Sequence, residues 1–256
     1  MIDPADVHEV LALFGEMCDR SSSIVAANDD WTMSGVRATQ YSIDLAVDGA
    51  CLEELTAAGL SVLSEESGRT AAPGDLGAHT VVVDPLDGST NASLGLPWCA
   101  TSLCLVSNGV PAVSMVANLR TGRRYWAARG RGAFRDGHRI ELPVDTPEVS
   151  VEDAIVAING RPGDSFRPRQ YRALGATALD LCAVADGGFD GYLDFDDDAI
   201  GVWDYLGAML VVQEAGGVMA DVYGREPVTL DHAARRRPVA ATSPRLLEEL
   251  MSIAVA

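Results

Sequence analysis

The stretch from Val81 to Asn91, Val-Val-Val-Asp-Pro-Leu-Asp-Gly-Ser-Thr-Asn, constrains this chain more than any other part of it. Its β-branched start predicts a buried strand that ends at Asp84. Pro85 disfavours a helix directly afterwards, and the residues from Gly88 predict a turn that opens a short helix. A buried strand therefore delivers one carboxylate at its end, and a second, Asp87, follows three residues later.

Two carboxylates with a backbone carbonyl between them suit a hard cation such as Mg²⁺, which binds oxygen ligands and usually shares them with substrate phosphate. The free N–H groups and hydroxyls of Gly88, Ser89 and Thr90 would then bind phosphate oxygens. Asp-Pro and Asp-Gly are also frequent turn sequences, so this stretch alone leaves a purely structural turn open.

The pattern of elements predicts an α/β fold. Short β-branched runs separated by Gly or Asn-Gly turns indicate strands from His79 to about Gly137. In the second half, strands in DAIVAI, DGYLDF, GVMADV and PVAAT alternate with helices in ATALDLCAVADG, WDYLGAMLVVQEAGG and PRLLEELMSIA. Such alternation predicts mixed sheets with helices between and outside them, a layered αβαβα sandwich. We expect one catalytic domain over residues 1–256, with lobes at about 1–145 and 146–256.

The first part of the chain is predicted to be helical. Asp3-Pro4 has the pattern of an N-cap followed by proline at the first helical position, and apolar residues recur at helical spacing up to Cys18. A polar segment over residues 20–40 interrupts this pattern before a second helix from about Ala46 to Ala58. The breaker-rich residues 69–77 predict a loop.

Composition excludes several classes of function. The net charge of −18 argues against a nucleic-acid duplex or an anionic membrane surface as a partner. All 19 basic residues are arginine, so Schiff-base catalysis and the Walker A phosphate loop, which need lysine, are excluded. No apolar run approaches the roughly 18 residues of a membrane span, and the acidic N-terminus is unlike a signal peptide. Five scattered cysteines favour free thiols in a reducing, cytoplasmic compartment.

Two further acidic elements flank this motif in sequence. Leu63-Ser64-Glu65-Glu66-Ser67 places paired acids after a short apolar run. Far downstream, Trp203-Asp204 begins a predicted helix that closes at Gly216-Gly217. Each is common alone, as a solvated face or an N-cap, but their order together with the central motif is distinctive.

In these segments the chain resembles the inositol monophosphatase-like family of magnesium-dependent, lithium-sensitive phosphatases. The resemblance covers nearly the whole chain and is densest at Glu65-Glu66, at DPLDGSTN and at WDYLGAMLVVQEAGG. RRYWAARGRGAFRDGHRI is similar to the central hairpin of the family, and LGATALDLCAVADGGFDGYLD to its substrate-side segment. The implied activity is hydrolysis of a small phosphate monoester by metal-activated water in a homodimeric enzyme.

The resemblance also implies roles for single residues. Glu65, Asp84 and the carbonyl of Leu86 would hold an activating Mg²⁺, and Asp84 would bridge to a second one shared with Asp87 and Asp204. Two or three Mg²⁺ ions per site are expected.

The other implied roles concern water and substrate. The water-positioning acid is matched by Asp44, assisted by the Ser89 hydroxyl. The substrate would be contacted by Asp87, Gly88, Ser89, Thr90, Gly175, Ala176, Asp194 and Asp204.

The chain departs from the family pattern in places that affect substrate choice. A lysine of the N-terminal arm is absent, Ser89 replaces a threonine, and Ala176 replaces a hydroxyl-bearing residue. The loop over residues 193–199 is longer and more acidic. An inositol monophosphate-type substrate is therefore the first expectation, with histidinol phosphate, fructose 1,6-bisphosphate or a 3′-phosphonucleotide as alternatives.

The sequence also allows two other functional interpretations. Asp194-Phe195-Asp196 after an apolar run offers the Asp-x-Asp pair of an aspartyl-phosphate phosphatase, although Asp198 stands where Thr or Val is usual. A non-catalytic homologue that binds a phosphorylated metabolite is the alternative from another class. The complete set of acids argues against it. The four histidines fall outside every motif and are interpreted as structural or exposed.

Overall fold

The computed structural model describes residues 3–37, 40–72, 78–143 and 149–255. Its helices are α1 (Val7–Ala27), α2 (Ser42–Ala57), α3 (Ser89–Ser93), α4 (Thr177–Ala185), α5 (Val202–Glu214) and α6 (Pro244–Ala254), with a 3₁₀ turn at Val151–Asp153. Its strands are β1 (Ser61–Ser64), β2 (Gly68–Thr70), β3 (His79–Asp87), β4 (Ala100–Ser107), β5 (Val110–Asn118), β6 (Arg124–Ala128), β7 (Gly132–Arg135), β8 (His138–Ile140), β9 (Ile155–Asn159), β10 (Gln170–Arg172), β11 (Gly191–Asp194), β12 (Val218–Asp221) and β13 (Pro238–Ala241).

The larger sheet has the strand order β2-β1-β3-β4-β5-β6-β7-β8, and both of its faces are covered. Side chains alternate across β3, so Val81 and Val83 pack with α1 and α2 while Val82 packs with α4 and α5. A strand that is buried on both faces needs the continuous apolar run that the sequence shows there.

The smaller sheet has the order β10-β9-β11-β13-β12, and α6 covers its outer face through Leu246 and Leu250. Helices α4 and α5 lie between the two sheets and are almost entirely buried. The layers are therefore α1 and α2, the larger sheet, α4 and α5, the smaller sheet, and α6. The predicted αβαβα sandwich is confirmed.

The start of the chain differs from the sequence prediction. Asp6 is the N-cap of α1, and its carboxylate accepts the His8 N–H at 2.8 Å. The prediction of Asp3 as N-cap is wrong because the Asp3 carboxylate caps a preceding turn, where it accepts the Ala5 N–H at 2.9 Å. The helix also continues beyond Cys18, since Ser21 and Val25 extend its buried stripe.

Two other boundaries move. Helix α2 begins at Ser42 rather than Ala46, because the Asp44 carboxylate accepts the Tyr41 N–H at 2.8 Å and closes the first turn. Strand β2 occupies the start of the predicted loop, paired with β1. The remainder of that loop, 73–77, and the predicted lobe boundary near residue 145 lie outside the described residues.

The five cysteines are buried and unpaired, as predicted. Within the described ranges, no helix combines the length and hydrophobicity needed to cross a lipid bilayer.

Candidate metal and phosphate site

Parallel pairing of β1 and β3 brings the first two site acids together. Ser64, the last residue of β1, pairs with Val83, so β1 ends beside the part of β3 that carries Asp84. Strand β3 does not end at Asp84 as predicted but continues, with a shift of register against β4, to Asp87. Glu65 follows β1 directly, and its N–H donates to the Val83 carbonyl at 3.2 Å. Glu65 and Asp84 are the residues that follow the paired Ser64 and Val83, so they lie side by side.

The third acid arrives from the helical layer between the sheets. Asp204 occupies the first turn of α5, where its carboxylate accepts the Gly201 N–H at 2.7 Å. One oxygen of each of Glu65, Asp84 and Asp204 lies within 4.8 Å of the others. Three acids far apart in sequence thus converge, and the predicted fourth, Asp87, is not part of this group.

Asp84 and Asp87 differ in their hydrogen bonds. Asp84 is 1% exposed; one of its oxygens accepts the Leu86 N–H at 3.0 Å, and the other is buried without a hydrogen-bond partner. One Asp87 oxygen accepts the Ala178 N–H at 2.8 Å, in the first turn of α4. Burial of the unpartnered Asp84 oxygen costs free energy that no hydrogen bond within the protein offsets.

Electrostatics make this cluster unfavourable as bare anions. Burial raises the pKa of Asp84 well above its ordinary value, and the charges of Glu65, Asp87 and Asp204 raise it further. Burial likewise raises the pKa of Glu65 and Asp204, and it raises that of Asp87 to about 7. Among the described residues, no arginine forms an ion pair with any of these four carboxylates. An all-oxygen donor set with an orphaned buried oxygen fits a hard divalent cation.

The neighbouring Glu66 is neutralised by the protein itself. The Arg37 guanidinium and the Gln40 amide both donate to its carboxylate. Of the paired acids in the sequence, Glu65 is therefore the one left free to act in the cluster.

A cavity of about 230 Å³ opens beside these acids. Its lining consists of Arg37, Gln40, Asp44, Glu65, Glu66, Leu86, Gly88, Ser89, Thr90 and Gly175. Burial, together with the charge of Glu65, raises the pKa of Asp44 to about 6, and one Asp44 oxygen is buried without a partner. The cavity therefore joins the predicted water-positioning acid to the predicted phosphate-binding turn.

Gly88 makes that turn possible. Its φ of +78° is in the left-handed region, and a Cβ there would lie 2.9 Å from the Trp98 carbonyl oxygen and 3.1 Å from Ala176 and from the Gly175 carbonyl. The close approach places the start of α3 against the segment before α4. Asn91 fastens the two, since its amide donates to the carbonyls of Trp98 and Leu174 at 2.8 and 2.7 Å.

Four predicted substrate residues, Asp87, Ala176, Asp194 and Asp204, do not line this cavity. Asp87 and Asp204 are the acids described above. Ala176 is buried at the start of α4. Asp194 is fully buried; one oxygen accepts from the Asn159 amide and the Asp196 N–H, both at 3.0 Å, and the other has no partner. Their contact with a substrate alcohol stays a prediction.

Sequence reasoning missed three residues that support the site: Arg37, Asn91 and His232. The imidazole Nε2 of His232 lies 3.1 Å from the Glu65 carbonyl oxygen, across 167 positions of sequence. Asn91 was visible as the last residue of the central motif, but no local pattern marks Arg37 or His232.

The five-layer fold and a carboxylate cluster beside a cavity lined by a Gly-Ser-Thr turn fit the class of phosphoric monoester hydrolases. Within that class, the chain belongs to the inositol monophosphatase family, because the sequence model of that family matches residues 7–256. The predicted family is confirmed, and so is the prediction that the protein is a phosphatase.

Relatives and solved structures agree with this assignment. The chain is 34% identical over 215 residues to a fructose-1,6-bisphosphatase/inositol-1-monophosphatase of Thermococcus kodakarensis, covering 83% of this chain and 81% of the relative. It is 36% identical over 185 residues to inositol monophosphatase 2 of Solanum lycopersicum, covering 68% and 67%. A hypothetical protein of Pyrococcus horikoshii, described as having similarities to inositol-1 monophosphatase, shares the fold with a TM-score of 0.82 at 22% identity, covering 95% of this chain and 96% of the other.

Proposed function

We propose that this chain is a Mg²⁺-dependent phosphatase that hydrolyses a small phosphate monoester without a covalent enzyme intermediate. The observation that carries the proposal is the convergence of Glu65, Asp84 and Asp204 around a buried Asp84 oxygen that has no partner in the protein. Divalent cations, when bound, would lower the pKa of a coordinated water and stabilise charge on the phosphoryl group and leaving oxygen.

The metal ligands we propose are Glu65, Asp84, the carbonyl of Leu86, Asp87 and Asp204, for two or three Mg²⁺ ions. Asp87 is held by the Ala178 N–H at the start of α4, which fixes its orientation. The chain has no lysine, so these cations would supply much of the positive charge that a phosphate dianion needs.

The remaining chemistry is assigned to groups that line the cavity. The unpartnered oxygen of Asp44 would accept a hydrogen bond from the attacking water, with the Ser89 hydroxyl beside it. The backbone N–H groups of Gly88, Ser89 and Thr90 would hold phosphate oxygens. Gly175, Ala176 and Asp194 would approach the alcohol. We therefore propose that the second half of the chain binds the alcohol part of the substrate, while the first half, together with Asp204 from the second, holds metal and phosphate.

The substrate we propose first is an inositol monophosphate. Fructose 1,6-bisphosphate is the second candidate, because the Thermococcus relative is described as both a fructose-1,6-bisphosphatase and an inositol-1-monophosphatase. Histidinol phosphate and a 3′-phosphonucleotide remain alternatives on the same chemistry. A cytoplasmic homodimer is the assembly and location we propose, from the family and from the buried free thiols.

Phosphate release from these four substrates tests the proposal. We expect turnover of at least one of them with added Mg²⁺, loss of turnover in excess chelator, recovery when Mg²⁺ is restored, and inhibition by lithium at roughly millimolar concentration. Full turnover in excess chelator would rule out the metal mechanism, and no turnover of any substrate would favour a non-catalytic homologue.

A further inference from the structure

The segment from Asp231 to Arg236 lies against both parts of the chain that carry the distant metal-site acids. At Glu65, the contact is the 3.1 Å approach of His232 Nε2 to the backbone carbonyl oxygen. A carbonyl oxygen only accepts, so Nε2 carries the proton and donates. At Asp204, the contact is through the preceding residue: the imidazole stacks on the Trp203 indole, with ring centroids 4.7 Å apart and planes 30° apart.

Trp203 is itself held in place. It is buried, and a Cβ on Gly201 would lie only 2.3 Å from its indole, so glycine at that position leaves room for the ring. The Arg235 guanidinium lies 5.0 Å from the ring centroid, within the range of a cation–π contact. Arg235 also donates to the His232 carbonyl at 2.8 Å, which ties the guanidinium and the imidazole into one unit on the indole.

The segment is anchored independently of these side chains. The Arg236 N–H donates to the Ile200 carbonyl at 2.9 Å, two residues before α5 begins. Leu230 packs on the core between the two sheets. The backbone that carries His232 is therefore held in place on both sides of this residue.

We propose that His232 is a positioning residue that sets the spacing between the Glu65 and Asp204 carboxylates. One face of its ring fixes the start of α5 through Trp203, and its edge fixes the backbone of Glu65 by a hydrogen bond. The two acids come from different layers, and no backbone hydrogen bond between their segments is observed among the described residues. The inference rests on the proposed function, since the cluster matters only if it binds a cation.

Mn²⁺ binding to the full chain, followed by electron paramagnetic resonance without substrate, tests the inference. The variant His232→Phe keeps a ring for stacking but removes the donor, whereas His232→Gln restores a donor. We expect the affinity for Mn²⁺ to fall about 10- to 100-fold in His232→Phe, the range found when partners that orient metal ligands are lost. Glutamine should recover most of that loss.

His79 provides a matched control. It is partly buried, its imidazole Nδ1 lies 3.1 Å from the Ser107 hydroxyl, and it begins β3, the strand that contains Asp84 and Asp87. We expect His79→Phe to leave the Mn²⁺ affinity unchanged. In kinetics, His232→Phe should raise the Mg²⁺ concentration for half-maximal rate while kcat at saturating Mg²⁺ stays within a few-fold of the parent protein.

The outcomes separate the two proposals. Parent protein that binds Mn²⁺ together with an unchanged affinity in His232→Phe overturns the positioning role and leaves the proposed function standing. Parent protein that binds no Mn²⁺ overturns the proposed function and this inference with it. If His232→Phe melts more than a few degrees below the parent in chelator, His232→Gln decides: retained affinity supports the role, and a loss as large as that of phenylalanine contradicts it.

Discussion

Two acidic regions of this protein carry similar residues but differ in their ion pairs with arginine. The site carboxylates, Glu65, Asp84, Asp87 and Asp204, form no ion pair with any arginine of the described chain. The acidic loop, residues 194–198, forms ion pairs with two arginines, Arg225 and Arg237.

Two guanidinium groups contact the acidic loop, at the Asp194 carbonyl and at the Asp197 and Asp198 carboxylates. Arg225 contacts both Asp198 and Asp221 at 2.7 Å. Arg237, only 7% exposed, donates to the Asp194 carbonyl at 2.8 Å and to the Asp197 carboxylate at 3.1 Å. These contacts hold the loop to strands β12 and β13.

Arginine contacts decide the direction of the pKa shift at Asp221, the β12 residue beside the loop. Within the loop itself, burial raises the pKa of Asp194 to about 6. Burial raises the pKa of Asp84 well above its ordinary value. Burial also acts to raise the pKa of Asp221, but hydrogen bonds from Arg225 and Arg237 outweigh it and the pKa falls below the ordinary value. A group of carboxylates is thus a candidate cation site when no arginine forms an ion pair with it, and the number of acids alone does not distinguish the two cases.

The largest expected effect concerns Asp84. Asp84→Asn should lower kcat by at least about 10³-fold, or about 4 kcal/mol, because a shared metal ligand loses its charge. Melting in chelator should be no lower than for the parent protein, since the substitution relieves repulsion among buried like charges. Steady-state kinetics with saturating Mg²⁺ and thermal melting in chelator measure the two effects.

Asp194→Asn is the matched comparison, because it makes the same change on the acidic loop. We expect KM or substrate preference to change more than kcat, since Asp194 would act on the alcohol rather than on phosphorus. An inactive Asp194→Asn beside a working Asp84→Asn would reverse the assignment and favour the aspartyl-phosphate mechanism.

A smaller effect is expected from Arg237→Met, which keeps an apolar stem but removes the guanidinium. The Asp194 carbonyl would lose its side-chain donor, so unfolding free energy should fall by about 2–3 kcal/mol, near the upper range for an unsatisfied buried acceptor. Urea unfolding measures the loss. Mn²⁺ affinity should be retained, and a decrease as large as that expected of His232→Phe would show that the two acidic regions are not independent.

The smallest expected effect is that of Tyr223→Phe. The Tyr223 hydroxyl donates to the Asp197 carboxylate at 2.6 Å at a partly exposed position. Its removal should cost less than about 1 kcal/mol of unfolding free energy, within the range of a single net hydrogen bond. Chemical denaturation of this variant beside Arg237→Met would show whether the guanidinium or the hydroxyl dominates; a larger loss for Tyr223→Phe would contradict the assigned order.

The sequence determined the features that depend on a few neighbouring residues. The apolar run before Asp84 predicts a strand buried on both faces, and the left-handed turn needed at Gly88 follows from glycine in that place. The order of strands and helices in the second half predicts the layers, because each amphipathic or apolar element must bury its face against another. Even here, the cap at Asp6 was not predicted, since Asp3 offered an equally good local signal. The length of α1 was not predicted either, because the residues after Cys18 are mostly polar.

Only the tertiary structure decided how the site is assembled. Glu65 meets Asp84 because β1 pairs in parallel with β3, and Asp204 joins them because α5 is buried between the sheets. Arg37 neutralises Glu66 and leaves Glu65 free, and His232 reaches Glu65 and Trp203 from a distant segment. Apolar burial drives this packing but is not directional, so it does not by itself specify which distant residues come into contact. These contacts form only when all the layers have packed together.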